Sequence, residues 1–142
     1  MKTVLSRQHV NSTFEAGTYY LGDLCYVLTK TQWDELMGQV IDGGWGCRDG
    51  EFTVDGKKVF LGTTYIGDGT YLDEIGNVYC VDSGTIGICP AELMANTDKL
   101  ELGKKLDIEN SFMISSDNGV FIINDNHDLF KTIDTKEEYK ED

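Results

Sequence analysis

Short runs of apolar residues alternate with polar turns along most of this chain, a pattern typical of β-strands. Such runs occupy residues 51–54, 58–61, 78–81, 111–115 and 120–123, among others. Asp55-Gly56 and Asn118-Gly119 each separate two runs. Both dipeptides favour two-residue hairpin turns because their residues accept positive φ. The pattern therefore predicts about nine to eleven short strands at hairpin-like spacing.

One segment has the period of an α-helix instead. A single apolar stripe at helical spacing is formed by Trp33, Leu36, Met37, Val40 and Ile41. Thr29 and Gln32 can form a capping box before it, and Gly43-Gly44 is expected to end it. A second, short helix is predicted over residues 90–96, because Pro90 suits a first helical turn.

These elements predict a mainly β (α+β) fold. We expect an antiparallel β-meander or a partly closed barrel, with one amphipathic helix and one short helix. Residues 1–134 are predicted to form a single globular domain, since 142 residues is an ordinary domain length. Residues 135–142 are charged and lack apolar anchors, so they are predicted to form a flexible charged tail.

One pattern occurs twice, at residues 17–27 and 62–72, as Gly-Thr-x-Tyr-aliphatic-Gly-Asp-x-x-Tyr-aliphatic. We predict that each copy is a strand–turn–strand unit, in which Gly22-Asp23 and Gly67-Asp68 form the turns. If the copies are pseudo-symmetric, the two aspartates could face each other. They could then bind a hard cation or act as an acid/base pair. The alternative is that each aspartate only caps its own turn.

Candidate ligand- or metal-binding residues follow from this repeat. They are Asp23, Asp68, Asp73, Asp82, Tyr26 and Tyr71. No catalytic residue and no cofactor is predicted. Cys25 could serve as a nucleophile with His9 or His127, although the spacing selects neither histidine and a buried thiol is the more usual fate.

The net charge of −13, from 25 acidic and 12 basic residues, restricts the possible partners. Such a surface repels phosphates, so direct nucleic-acid binding is not expected. It suits a basic protein, or a protein site that otherwise holds nucleic acid. The four cysteines form no Cys-x-x-Cys pair, so a zinc site has weak sequence support. The N-terminal residues have no apolar core of signal length, so we expect a cytosolic location with reduced thiols. No apolar segment is long enough to span a membrane.

The repeat region also carries a resemblance. Residues 19–27 read Tyr-Tyr-Leu-Gly-Asp-Leu-Cys-Tyr-Val and precede a helix headed by Trp33. Together with residues 65–71 and 81–87, they resemble uncharacterised small proteins of tailed, T-even-like bacteriophages that share a Tyr-x-aliphatic-Gly-Asp-x-Cys-Tyr motif. The resemblance covers roughly residues 17–95, and Leu24 stands where that pattern often has proline.

The resemblance implies a phage accessory protein in the host cytoplasm that acts by binding a host protein. It brings no activity with it, and a binding role is favoured over an enzymatic one. The alternative is a metal- or small-ligand-binding module centred on the duplicated Gly-Asp turns. Such a module could be hydrolytic, or could sequester nucleotides with the help of Arg48, Lys57 and Lys58.

Overall fold

The computed structural model describes residues 9–41 and 49–139. Their strands are β1 (Val10–Phe14), β2 (Gly17–Gly22), β3 (Gly50–Val54), β4 (Lys57–Thr63), β5 (Gly69–Leu72), β6 (Val78–Val81), β7 (Thr85–Pro90), β8 (Lys104–Ile108), β9 (Phe112–Asp117), β10 (Val120–Asn124) and β11 (Phe130–Asp134). One α-helix, α1 (Lys30–Val40), and 3-10 turns at Leu24–Tyr26, Ala91–Leu93 and Leu100–Leu102 complete these ranges.

The strands form three antiparallel sheets, which confirms the predicted mainly β fold. A five-stranded sheet has the order β3-β4-β7-β2-β8, and a four-stranded sheet has the order β1-β9-β10-β11. In the latter, β9, β10 and β11 form a meander. The β5–β6 hairpin is the third sheet. Within residues 9–41 and 49–139 the sheets do not close into a barrel.

The central strands of the five-stranded sheet, β4, β7 and β2, are buried on both faces. Side chains of a strand alternate between the two faces, and successive residues of β2 accordingly enter different cores. Tyr19 and Leu21 pack in one cluster with residues of the four-stranded sheet. Tyr20 packs in the other with Leu36 and Val40 of α1. The molecule therefore has three layers, with the helix, the five-stranded sheet and the four-stranded sheet in that order.

Helix α1 begins as its sequence predicts. The Thr29 hydroxyl accepts from the Gln32 backbone N–H at 3.1 Å, and the Gln32 side chain accepts from the Thr29 N–H at 2.8 Å. The helix ends at Val40, while Ile41 is 49% exposed and lies outside the buried stripe. The glycines expected to end it lie outside the described residues. The Gln39 side chain binds both the N–H and the C=O of Thr53, which covers the edge of β3.

Both predicted hairpin turns are confirmed. Asp55 and Gly56 have φ values of 49° and 76°, and Asn118 and Gly119 have values of 50° and 85°. Positive φ at both central residues defines the turn type that matches the twist of a two-residue hairpin.

The first repeat copy differs from its prediction. Residues 25–28 do not continue as a strand, because Leu24–Tyr26 forms a 3-10 turn with Asp23 as its N-cap. In the second copy, a connection does join β4 to β5 around Gly67-Asp68, but β4 already ends at Thr63, so residues 64–66 do not continue the predicted strand. The duplicated sequence thus adopts two conformations. The predicted short helix is likewise reduced to the 3-10 turn Ala91–Leu93.

Thr135 belongs to the folded part of the chain and not to the predicted flexible tail. It is fully buried, and its hydroxyl accepts from the Tyr65 N–H at 2.8 Å and donates to the Gly119 carbonyl. Further along, the Tyr139 N–H donates to the Thr70 carbonyl at 2.7 Å. These hydrogen bonds anchor a segment that has no apolar pattern.

Gly87 lies at a close backbone contact within the five-stranded sheet. A Cβ there would lie 2.4 Å from the Phe60 carbonyl oxygen and 3.0 Å from a methyl carbon of Leu24. We expect Gly87→Ala to lower the free energy of unfolding by about 1–3 kcal/mol, because backbone atoms must move. Gly38, in α1, has open space around its Cα. Gly38→Ala should therefore raise that free energy by about 0.5–1 kcal/mol. Urea unfolding measures both, and equal effects would contradict the prediction.

Candidate functional site

Asp23 is fully buried at the end of β2, and its carboxylate accepts four hydrogen bonds. Oδ1 accepts from the Cys25 N–H at 3.0 Å and from the Ser83 hydroxyl at 2.8 Å. Oδ2 accepts from the Asp82 and Ser83 N–H groups, both at 2.7 Å. A carboxylate has about four lone-pair positions, so these donors occupy the group. Asp23 thus joins the 3-10 turn after β2 to the turn between β6 and β7.

Tyr26 and Asp82 lie beside this junction. Burial is the main cause that raises the pKa of Tyr26 above its ordinary value, and the hydrogen bond with Asp82 adds to it. The Lys99 ammonium lies 5.7 Å from the centre of the Tyr26 ring. Asp82 itself is exposed. The phenol is therefore held protonated, as a donor to an acidic residue.

Asp68 approaches the same turn but from solvent. Its Oδ1 lies 3.9 Å from where a Cβ on Gly84 would stand, and its side chain is exposed. The turn around it is held by the Thr64 hydroxyl, which accepts from the Gly67 N–H at 2.9 Å. Tyr71 is fully buried and donates to the Gly67 carbonyl at 2.7 Å. Asp68 therefore does not repeat the role of Asp23.

The expected convergence of carboxylates is only partial. Asp23, Asp82 and Asp68 all lie near the turn at residues 82–84, whereas Asp73 belongs to a different network. Among the described residues, no three His, Cys, Asp or Glu side chains are grouped so that they could hold a metal ion. The geometry supports the alternative reading for Asp23, in which the aspartate caps its turn.

Asp73 is the centre of the second buried network. Its Oδ1 accepts from the Ile75 and Asn77 N–H groups at 3.1 and 2.9 Å. Its Oδ2 accepts from the Asn77 amide at 2.9 Å, the Tyr79 hydroxyl at 2.8 Å and the Lys131 ammonium at 2.7 Å. The Asp73 and Lys131 side chains are 0% and 7% exposed. This ion pair joins the β5–β6 hairpin to β11.

The charges in this network are strongly stabilised. Burial alone would raise the pKa of Asp73, but the hydrogen bonds from Lys131, Asn77 and Tyr79 outweigh it and hold the pKa well below its usual range. Burial, followed by the hydrogen bond to Asp73, raises the pKa of Tyr79. Asp73 was predicted as a ligand residue, and the structure instead commits its oxygens to the chain's own donors.

Lys131 is a residue that sequence reasoning missed. It lies within the apolar segment 129–133, in phase with the buried Ile133. Side chains of a strand alternate between its two faces. The two-residue spacing between Lys131 and Ile133 therefore indicates that the lysine points inward. A buried lysine requires an acidic partner, but the sequence alone did not identify Asp73 as that partner.

The candidate nucleophile Cys25 and its candidate partners His9 and His127 have different neighbours in the structure. Burial, followed by the hydrogen bond with Asp23, raises the pKa of the Cys25 thiol, which opposes formation of a nucleophilic thiolate. His9 lies 3.5 Å from Asp117, and the His127 N–H donates to Asp125 in the β10–β11 loop.

The proposed phosphate-binding lysines have acidic neighbours. Lys57 lies 3.3 Å from Glu92, and Lys58 lies 3.8 Å from Glu51. Both positive charges are therefore partly compensated within the chain. Arg48, the third residue of that hypothesis, lies outside the described residues.

Over residues 9–41 and 49–139, the fold is a small antiparallel β protein with one α-helix, and its buried carboxylates Asp23 and Asp73 accept hydrogen bonds from the chain's own donors. No protein-family model, curated protein sequence or solved structure matches this chain. The bacteriophage resemblance of residues 17–95 therefore stays a prediction. Among the described helices, none is both long and apolar enough to cross a membrane.

The two repeat aspartates give a matched test of this assignment. We expect Asp23→Asn to lower the free energy of unfolding by about 2–4 kcal/mol, because an amide nitrogen cannot accept from the N–H groups that face it. Asp68→Asn is the control and should change that free energy by no more than about 0.5 kcal/mol, since Asp68 is exposed. Guanidinium unfolding of both variants measures the difference. A comparable loss in Asp68→Asn would contradict the assignment.

Lys131→Met tests the buried ion pair. Removal of the ammonium leaves Asp73 buried and charged, so we expect a loss of about 3–5 kcal/mol at neutral pH. The folded-state pKa of Asp73 lies below the unfolded value of about 3.9. In the wild type, the stability that ionised Asp73 contributes is therefore present above about pH 4 and is lost as the pH falls through the folded-state pKa. The loss in Lys131→Met should shrink over the acid range, because protonated Asp73 needs no cation.

Unfolding curves of wild type and Lys131→Met, recorded across the acid range, measure this dependence. Lys136→Met, at an exposed lysine, is the control for removal of one positive charge. A stability difference that stays constant from neutral to acid pH would contradict the role of Asp73.

Proposed function

We propose that this chain is a non-enzymatic binding protein that a bacteriophage supplies in the cytoplasm of its host, where it contacts a basic host protein. The proposal rests on the difference between the buried and the exposed acidic side chains. The buried acids Asp23 and Asp73 are fully occupied by internal donors, and the buried Asp125 accepts three internal hydrogen bonds, whereas most of the negative charge lies at the surface. Such a molecule is suited to long-range attraction and offers few free groups for chemistry.

The surface field is negative because 25 acidic residues outnumber 12 basic ones, and several of the basic side chains are paired with acids. Lys131 is buried against Asp73, and Lys30 lies 2.8 Å from Asp34. Lys57 and Lys58 lie beside glutamates. Each of these pairs neutralises one acid as well as one base, so the excess negative charge of −13 is unchanged. Complementary charge accelerates encounter with a basic partner and suppresses acidic ones.

The alternative functions receive less support from the geometry. A metal-dependent or hydrolytic module needs several carboxylates with free lone pairs in one place. Asp23 and Asp73 are two of the six candidate residues. Their carboxylate oxygens already accept several internal hydrogen bonds, so they cannot supply free lone pairs to a metal ion. Sequestration of nucleotides needs uncompensated positive charge near the phosphates, and the described lysines of that hypothesis have acidic neighbours.

Affinity capture from host-cell extract tests the proposal. We expect the tagged chain to recover a basic protein in an amount comparable to its own at about 0.05 M salt. Recovery should fall several-fold at about 0.5 M, because salt shortens the range of electrostatic attraction. The control is an unrelated protein of equal size and equal negative charge. Recovery of nothing beyond that control, or a rise in melting temperature with a metal ion or nucleotide instead, would contradict the proposal.

A further inference from the structure

Strand β11 exposes an aromatic side chain and buries a charged one, the reverse of what is usual. Phe130 is 57% exposed, whereas the next residue, Lys131, is buried. In the register of the sheet, Phe130 lies opposite Asn124 and Lys131 lies opposite the buried Ile123. The strand therefore directs its aromatic residue to solvent and its cationic residue to the core.

The ion pair of Lys131 with Asp73 and the burial of Ile133 both favour this register. A slip of one residue would turn every side chain of β11 to the opposite face. Phe130 would then enter the core, and Lys131 would leave Asp73, whose carboxylate is 2.7 Å away. The fold thus keeps an aromatic residue in solvent at the cost of burying a lysine. Local departures of this kind are expected at functional surfaces.

Phe130 belongs to a larger uncharged surface. Residues directly opposite one another in a sheet share a face, and two rows cross the four strands on the outer face. They are Thr13, Met113, Asn124 and Phe130, followed by Asn11, Ser115, Ile122 and Thr132. We call these eight residues the outer face; among them Ser115 is only 8% exposed. None carries a charge, although the chain as a whole carries −13. Met113 is 44% exposed.

Acidic residues lie at both ends of the outer face. At one end the next row contains Asp117 and Asp134, with Val120 between them. At the other end a depression of about 240 Å³ adjoins Leu129. Its acidic lining residues are Asp107, Glu109, Asp125 and Asp128. A charge-free centre with Met and Phe, bordered by charged residues, is the usual composition of a protein–protein interface.

We propose that the outer face is the surface on which the basic partner docks. Apolar side chains of the partner cover Met113 and Phe130, and its lysines or arginines contact Asp117 and Asp134 at one end and the acidic depression at the other. A second copy of this chain does not fit, because it would bring a charge of −13 and acidic ends against the same groups. This inference rests on the proposed function and adds the location of the contact.

Site-specific photo-crosslinking in host-cell extract locates the contact. Phe130 is replaced by p-benzoylphenylalanine, which preserves an aromatic ring, and the control carries the same residue at Ile41. Ile41 is 49% exposed and follows α1, in the layer on the other side of the five-stranded sheet. We expect a basic protein crosslinked from position 130 and not from position 41. Equal products from both positions, a crosslinked homodimer or no product would overturn the inference.

Binding of the purified crosslinked protein then tests the energetics. We expect Phe130→Glu to weaken its Kd at least about 30-fold, the loss typical of a central aromatic residue, and Phe130→Ala to weaken it less. Ile41→Glu, which adds the same charge elsewhere, should leave the Kd within about 3-fold. Unchanged circular dichroism spectra establish that each variant folds. If wild type binds a basic partner and Phe130→Glu binds equally well, the docking surface is wrong while the proposed function stands.

Discussion

The buried carboxylate of Asp23 needs four donors, and the turn at residues 82–83 supplies three of them. An unpaired buried charge would cost several kcal/mol, so β2 and the β6–β7 connection must reach the same point. This requirement couples the first part of the chain to its middle. It also places β7 beside β2, with Gly22 opposite Gly87 in the register. The close approach at Gly87 and the burial of both faces of the central strands of the five-stranded sheet follow from that pairing.

A second buried carboxylate organises the other end of the molecule. Asp73 joins the β5–β6 hairpin to β11, and the same ion pair, together with the buried Ile133, favours the register in which Phe130 faces solvent. The interior network and the outer surface are thus linked through one strand. A buried ion pair contributes less to stability than its geometry suggests, because desolvation offsets the attraction. Its value here lies in favouring the register that keeps Phe130 outside.

Local signals predicted the parts of this fold that depend on neighbouring residues. The capping box of Thr29 and Gln32 and the turn at Asn118-Gly119 need only a few residues each, and both are confirmed. The continuation of residues 25–28 as a strand was wrong, because β-propensity there yields to the hydrogen bonds that Asp23 makes. The partner of Lys131 is 58 residues away in sequence. No periodicity within either segment could identify that contact, so the second network was not predictable.

The repeat shows why a duplicated motif does not imply a duplicated site. Asp23 and Asp68 share the same local sequence, yet one is buried and the other exposed. The difference comes from the surroundings, because Thr64 holds the second turn and leaves Asp68 without the structural role of its counterpart. A paired carboxylate site would require both groups to keep free lone pairs toward a common ligand. Since Asp23 has used its lone pairs inside the protein, the outer surface remains the stronger basis for a function.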